Sequence, residues 1–150
     1  GSFLIRLLPA IIFLIAAFLS FSTGTAWGTF GILLPIVTAI FDGPNADMLI
    51  AAMGATLAGS VFGDHCSPIS DTTILSSTGA KCDHIRHVST QIPYAVFVAI
   101  ICFIGYVAYG LTTGVTTGPW LMLLVAFGIF AAALAVIHFM YKKEKVSAGK

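Results

Sequence analysis

Two carboxylates, Asp64 and Asp71, bracket the stretch Gly63-Asp64-His65-Cys66-Ser67-Pro68-Ile69-Ser70-Asp71, which interrupts an otherwise apolar run. An earlier apolar run is interrupted in the same way by Thr23-Gly24-Thr25-Ala26-Trp27-Gly28-Thr29. Ionisable groups inside an apolar span are expensive and mark functional sites by default. Both interruptions are rich in hydroxyls, and a broken helix also frees backbone carbonyls, so each offers the hard oxygen donors that bind alkali cations. The expected ligand set is Asp64, Asp71, Ser67, Ser70 and Thr72 from the second break, with Thr25 and Thr29 from the first; the metal ligands proper, for Na+, are Asp64 and Asp71.

The two carboxylates are expected to differ. Asp71 precedes a short predicted helix from Thr72 to about Ala80, where it can cap free N–H groups at the positive end of the helix dipole. Asp64 is expected just past the C-terminal end of the preceding helix, among unpaired carbonyls and at the negative end of that dipole. An anion there is unfavourable until a cation or a proton joins it. That is the chemistry of a group that exchanges H+ for Na+, so Asp64 is the expected coupling residue and Asp71 a second ligand or a cap. His65 could relay protons for it, although an imidazole also sits comfortably at any helix C-terminus.

Other residues have plainer readings. Trp27 suits a cavity wall, core packing or an interfacial anchor. Pro68 holds its break open by lacking an N–H and restricting Ser67. Gly24, Gly28, Gly31, Gly59 and Gly63 allow tight turns and close helix approach. Cys82-Asp83-His84-Ile85-Arg86-His87 superficially resembles a zinc cluster, but its spacing is nonspecific. Cys66, Cys82 and Cys102 lack a CxxC spacing and read as reduced packing residues. No cofactor is expected.

The elements that must position these groups are set by composition. Hydrophobic residues make up 58% of the chain and charged residues 9%, with a mean hydropathy of +1.01. Soluble domains carry about 25% charged residues, so this chain cannot cover a water-facing surface and belongs in a lipid bilayer. The net charge of +1 is too unevenly spread to indicate partners, and no basic patch suits nucleic acid. Gly1-Ser2 in place of an initiator methionine suggests a cloning scar on part of a longer protein.

Four apolar regions follow. The first, residues 7–41, is a hairpin or broken span, and the second, 48–80, is a broken helix. The third and fourth, 93–111 and 120–141, are uninterrupted and each has roughly the 20 residues needed to cross a bilayer. Lys142, Lys143, Lys145 and Lys150 place the tail, 142–150, in the cytoplasm by the positive-inside rule. Counting back puts the loop from Lys81 to Gln91 on the same side, which suits Lys81 and Arg86. Non-helical backbone at membrane depth survives only where protein or a water-filled cavity satisfies it. Paired interruptions of this kind are therefore the best sequence pointer to a transporter site.

At the two breaks the sequence resembles the NhaC-type Na+/H+ antiporter family of the ion transporter superfamily. The stretches that carry the likeness are TGTAWGTFGILLPI (Thr23 to Ile36) and GDHCSPISDTTILSSTGAKCDHIRHVSTQIPY (Gly63 to Tyr94), within similarity from Pro9 to Tyr94. The resemblance implies an all-α integral membrane fold: one repeat of an inverted-repeat transporter, with a re-entrant hairpin, a discontinuous helix and two full transmembrane helices. On that reading Leu7 to Phe41 is the hairpin, entering from outside, and Met48 to Ala80 the broken helix. The implied partners are Na+ and H+ as transported ions, the bilayer and an N-terminal repeat missing from this chain; a homodimer, with two copies paired antiparallel, is the alternative way to complete the site. A bacterial inner membrane is implied as the location, and no enzyme activity.

The expected function is secondary active exchange of Na+ or Li+ for H+. Some relatives exchange carboxylates such as malate and lactate, and the helix N-terminus at Thr72 would suit such a substrate. A non-transporting membrane scaffold, with the breaks as mere kinks, is the alternative of another class. An intramembrane hydrolase using Asp64 and Asp71 lacks a matching catalytic motif.

Overall fold

The computed structural model describes residues 2–42, 48–112, 124, 126–135 and 138. The chain divides into two compact units, Gly1–Thr113 and Gly114–Lys150. All regular structure among the described residues is helical. The first unit holds α1 (Ser2–Thr23), α2 (Ala26–Ile40), α3 (Leu49–Cys66), α4 (Asp71–Gly79) and α5 (His84–Thr112). The second holds α6 (Ala126–Ala135). That helix falls within the apolar region expected over 120–141, whose remaining residues are mostly outside the described part, as is the tail from 142 to 150.

α1 ends because Gly24 takes a left-handed conformation, φ +69°, and its N–H bonds Ser20 O at 2.8 Å. Only glycine enters that region without steric cost, which is why it so often closes a helix. Thr25 is extended and caps α2, its side chain accepting from the Gly28 N–H at 3.4 Å. The chain then folds back. Thr29 lies beside Thr23, and further along α2 Val37 and Phe41 join Ile12 and Phe13 of α1 in one core cluster. α1 and α2 are therefore an antiparallel helical hairpin.

α3 packs on that hairpin with unusual closeness. A Cβ at Gly59 would collide with Phe13 O, and one at Gly63 with Ala17 O. One turn further on, the Ser67 hydroxyl donates to Phe21 O at 2.8 Å. Each step of one turn in α1 is matched by one turn in α3, so these two helices run in the same direction. Glycine at 59 and 63 lets the backbones touch, and the Ser20 hydroxyl adds a bond to Ser60 O at 2.6 Å. α5 runs the other way: Gly110 abuts Arg6, and the Tyr106 ring lies tilted against Phe13 at 5.7 Å between ring centroids.

Polarity is distributed inside out. Ser20, Thr29, Thr56, Ser60, Asp64, Ser67, Ser70, Thr73 and Ser77 are buried, while Phe18 is 74% exposed and Ile50 83%. In water an exposed apolar surface of that kind forfeits about 25 cal/mol per Å²; in lipid it is the natural solvent contact. Two helical segments, Phe3–Thr23 and His84–Thr112, are long and apolar enough to cross a membrane. At about 1.5 Å per residue the 21 and 29 residues of these segments reach the roughly 30 Å of a hydrocarbon core.

Two boundaries differ from expectation. α3 continues through Gly63 and Asp64 to Cys66, because Gly63 is held by close packing on α1 and does not begin a turn. α5 starts at His84 and passes through Pro93, so most of the expected loop from Lys81 to Gln91 is helix. Asp83 starts it, its Oδ1 accepting from the Arg86 N–H at 2.8 Å.

Candidate functional site

The break between α3 and α4 is confined to Ser67-Pro68-Ile69-Ser70. Pro68 cannot donate to continue α3, and the freed backbone is recaptured by local turns and by hydroxyls. The Ser67 backbone N–H bonds Asp64 O at 3.1 Å, and the Ser70 N–H bonds Ser67 O at 3.3 Å. The buried Thr73 hydroxyl lies 2.9 Å from both Ser67 O and Ser70 O. Ser70 is the N-cap of α4, accepting from the Thr72 N–H at 3.2 Å.

Asp64 sits in the last turn of α3, not beyond its end, and is only 5% exposed. Its Oδ1 lies 2.7 Å from Ser70 Oγ, and its Oδ2 lies 2.9 Å from Thr72 Oγ1. The two hydroxyl oxygens are themselves 2.7 Å apart. These four oxygens form a ring with three short contacts. With Asp64 ionised, two hydroxyl protons must serve all three, and one oxygen pair is left facing without a proton. A third proton, on the carboxyl group, closes the ring; an alkali cation among the same oxygens would relieve the unpaired contact instead. Among the described residues no basic side chain is paired with Asp64. A buried ion without a partner costs several kcal/mol.

The two breaks meet. Gly24, at the turn of the α1–α2 hairpin, lies so close to Ile69 that a Cβ would fall 2.9 Å from Ile69 O and Cγ1. Together with the bond from Ser67 to Phe21 O, this locks the hairpin turn onto the broken stretch.

The expected ligands are not all gathered. Ser70 and Thr72 surround Asp64, and Ser67 braces the break from α1. Asp71 is the first residue of α4 and is exposed; Ser70 takes the capping role. The geometric reason is that capping belongs to the residue before the first helical turn, and Asp71 is already inside it. Thr25 and Thr29 stay within the hairpin, where the Thr29 hydroxyl donates to Thr25 O at 2.9 Å. His65 turns away from Asp64: its Nδ1 lies 3.0 Å from Val61 O, and it lines an apolar groove of about 740 Å³ between α3 and α5, with Leu57, Phe62, Tyr94 and Val98.

Three residues outside the expected ligand set, two of them from the nominal zinc cluster, are tied to this region by the structure. Ser77, His84 and His87 join α4 to α5, and the His84 ring also reaches the Pro68 carbonyl at 2.6 Å. No regular spacing announces such a contact. The residues of the nominal zinc cluster are otherwise engaged: Cys82 Sγ approaches Ser77 O at 3.6 Å, and Asp83 caps α5. Among the described residues no group of three or more His, Cys, Asp or Glu could hold a metal ion.

An outward apolar face, a polar interior and a buried carboxylate at a helix break define a helical, membrane-type protein. The chain belongs to the Na+/H+ antiporter family, whose profile matches residues 4–111. It is 49% identical over 144 residues to an uncharacterised protein of Haemophilus influenzae, covering 96% of this chain and 26% of that one. It is 35% identical to a malate-2H(+)/Na(+)-lactate antiporter of Bacillus subtilis, over 67% of this chain and 21% of the relative. An uncharacterised Na(+)/H(+) antiporter of Haemophilus influenzae is 37% identical over 65% of this chain and 20% of its own length. The chain thus spans about a fifth to a quarter of the curated relatives it matches. No solved structure matches it.

Proposed function

We infer that this chain carries the ion-coupling half-site of a secondary transporter that exchanges Na+ or Li+ for H+ at Asp64. The observation that carries the reading is the oxygen ring of Asp64, Ser70 and Thr72. It can be completed by one proton or by one alkali cation, but the same oxygens cannot accept both at once. Mutual exclusion at one carboxylate is what couples the two fluxes: loading the cation expels the proton, and the reverse step resets the site. The exposed Asp71 is a peripheral ligand on this reading, and Thr25 and Thr29 act by shaping the hairpin turn.

Discontinuous helices usually work in pairs, near the midplane of inverted repeats. In the proposed arrangement the α1–α2 hairpin enters the membrane from outside, α3 and α4 are the two arms of the broken helix, and the lysine-rich tail is cytoplasmic. A second repeat faces this one across the site, in an inner membrane of a bacterial cell.

The test is Na+-triggered proton movement in proteoliposomes containing the native-length protein and a trapped pH dye, with Asp64→Asn as control. A pH change that depends on Na+ and vanishes in the variant supports antiport at Asp64. No pH change from correctly folded protein rejects simple Na+/H+ exchange.

A carboxylate exchanger is the second reading, favoured by the N-terminal turn of α4, where Ser70 and Thr72 hydroxyls converge, and by the similarity to a malate/lactate antiporter. Sodium flux that requires added malate or lactate separates it from the first.

A further inference from the structure

His84 stands apart from the other histidines of the first unit because both of its ring nitrogens are engaged, by different elements. Nε2 lies 2.6 Å from Pro68 O in the break, and Nδ1 lies 3.1 Å from Ser77 Oγ on α4. Pro68 O can only accept, so Nε2 must carry a proton. The Ser77 hydroxyl also lies 2.9 Å from Ile74 O, which again can only accept.

Counting protons decides what suits this arrangement. With neutral imidazole, the single Ser77 proton must serve either Ile74 O or Nδ1, and one contact is left as two lone pairs facing each other. With imidazolium, Nε2–H donates to Pro68 O, Nδ1–H donates to Ser77 Oγ, and Ser77 O–H donates to Ile74 O. Every contact is then satisfied, two of them by charge-assisted bonds. His87 has no such requirement: among the described residues its ring meets Ser76 Oγ, 3.3 Å from Nε2, and a neutral Nε2–H serves it.

The surroundings tolerate the charge. His84 is half-buried. The last turn of α4 presents the negative end of its dipole to it, which favours a cation; the first turn of α5, where His84 itself sits, opposes it. Asp83 is the adjacent carboxylate, while Lys81, Arg86 and His87 are the nearby basic groups of the connecting turn and α5. Cys82 completes the turn, Asp71 lies at the far end of α4, and Asp64 and His65 belong to the last turn of α3; Ser67 to Ser70 contribute nothing titratable.

We propose that His84 is a positioning residue whose protonation clamps the broken stretch Ser67–Ser70, and with it the Ser70 and Thr72 hydroxyls around Asp64. Acidic conditions close the clamp, and alkaline conditions release Pro68 O and loosen the site. This regulation rests on the reading of Asp64 as an ion-coupling site, but the clamp itself is a property of the fold.

Hydrogen–deuterium exchange of the native-length protein in lipid nanodiscs tests it without any transport. After correction for intrinsic exchange rates, protection of the segment 67–76 should fall roughly five- to tenfold between pH 5.5 and pH 8, the difference between a charge-assisted and a neutral bond. His84→Gln, which can still donate to Pro68 O but does not titrate, should remove that step. Ser77→Ala, which takes away the Nδ1 partner, should reduce it and serves if the glutamine variant does not fold. A step that persists unchanged in both variants, or no step in the wild type, overturns the proposal. A step that depends on His84, in a protein that moves neither Na+ nor H+, leaves the clamp standing and rejects the transport reading instead.

Discussion

At the residue scale the strongest asymmetry is between the two aspartates. Asp64 is buried among hydroxyls and Asp71 is exposed at the start of α4. Asp64→Asn should abolish Na+-triggered proton movement, whereas Asp71→Asn should change it by no more than about twofold, in keeping with the small effects of exposed charges. The comparison is made on matched amounts of reconstituted protein, and equal losses in both variants would reject the assignment. Thr72→Val keeps the side-chain shape but removes one hydroxyl from the ring. Hydrogen bonds to charged groups contribute about 1.5–3 kcal/mol, so the Na+ concentration at half-maximal exchange should rise about tenfold or more. The loss should appear in that concentration dependence, measured on protein confirmed to be folded.

At the scale of elements, the site depends on how closely α3 approaches α1. Gly63→Ala places a methyl group against Ala17 O, Phe21 N and the Ser20 side chain, where the neighbours are largely backbone and cannot yield cheaply. Overpacking of this kind costs about 1–3 kcal/mol or more, and displacement of α3 would carry Asp64 with it. Gly31→Ala, on α2, meets nothing within 4 Å and removes a glycine from a helix interior, which should stabilise by up to about 1 kcal/mol. Melting of the two variants in one detergent should therefore shift in opposite directions. Similar shifts would mean that the α1–α3 contact is looser than described.

For the whole molecule, the distribution of basic residues predicts that the turn between α4 and α5 faces the cytoplasm. Cys82, in that turn, is exposed, whereas Cys66 is buried at the end of α3. In inside-out vesicles a membrane-impermeant maleimide should label Cys82 readily and Cys66 little. In right-side-out vesicles neither should react until the membrane is opened. Labelling of Cys82 from the outer face of intact cells would reverse the orientation of the unit.

Composition and pattern determined what depends on solvent and on local backbone rules. A chain with 9% charged residues and long apolar runs has to bury its few polar groups inward, so its helical, membrane-type character and its two interruptions were legible without coordinates. Gly24 as a helix stop and Pro68 as a helix break follow from φ preferences and a missing N–H, which act within a few residues. Asp64 was legible as the costly group for the same reason. Contacts between distant segments were not. The parallel seating of α1 on α3, the meeting of Gly24 with Ile69, and the reach of His84 across to Pro68 depend on which helix faces pack together. Gly63 shows the boundary between the two: read alone it starts a turn, yet packing against Ala17 O keeps it in the helix and carries Asp64 into the last turn of α3. Only tertiary structure could decide that, because the deciding atoms belong to a helix more than forty residues earlier in the chain.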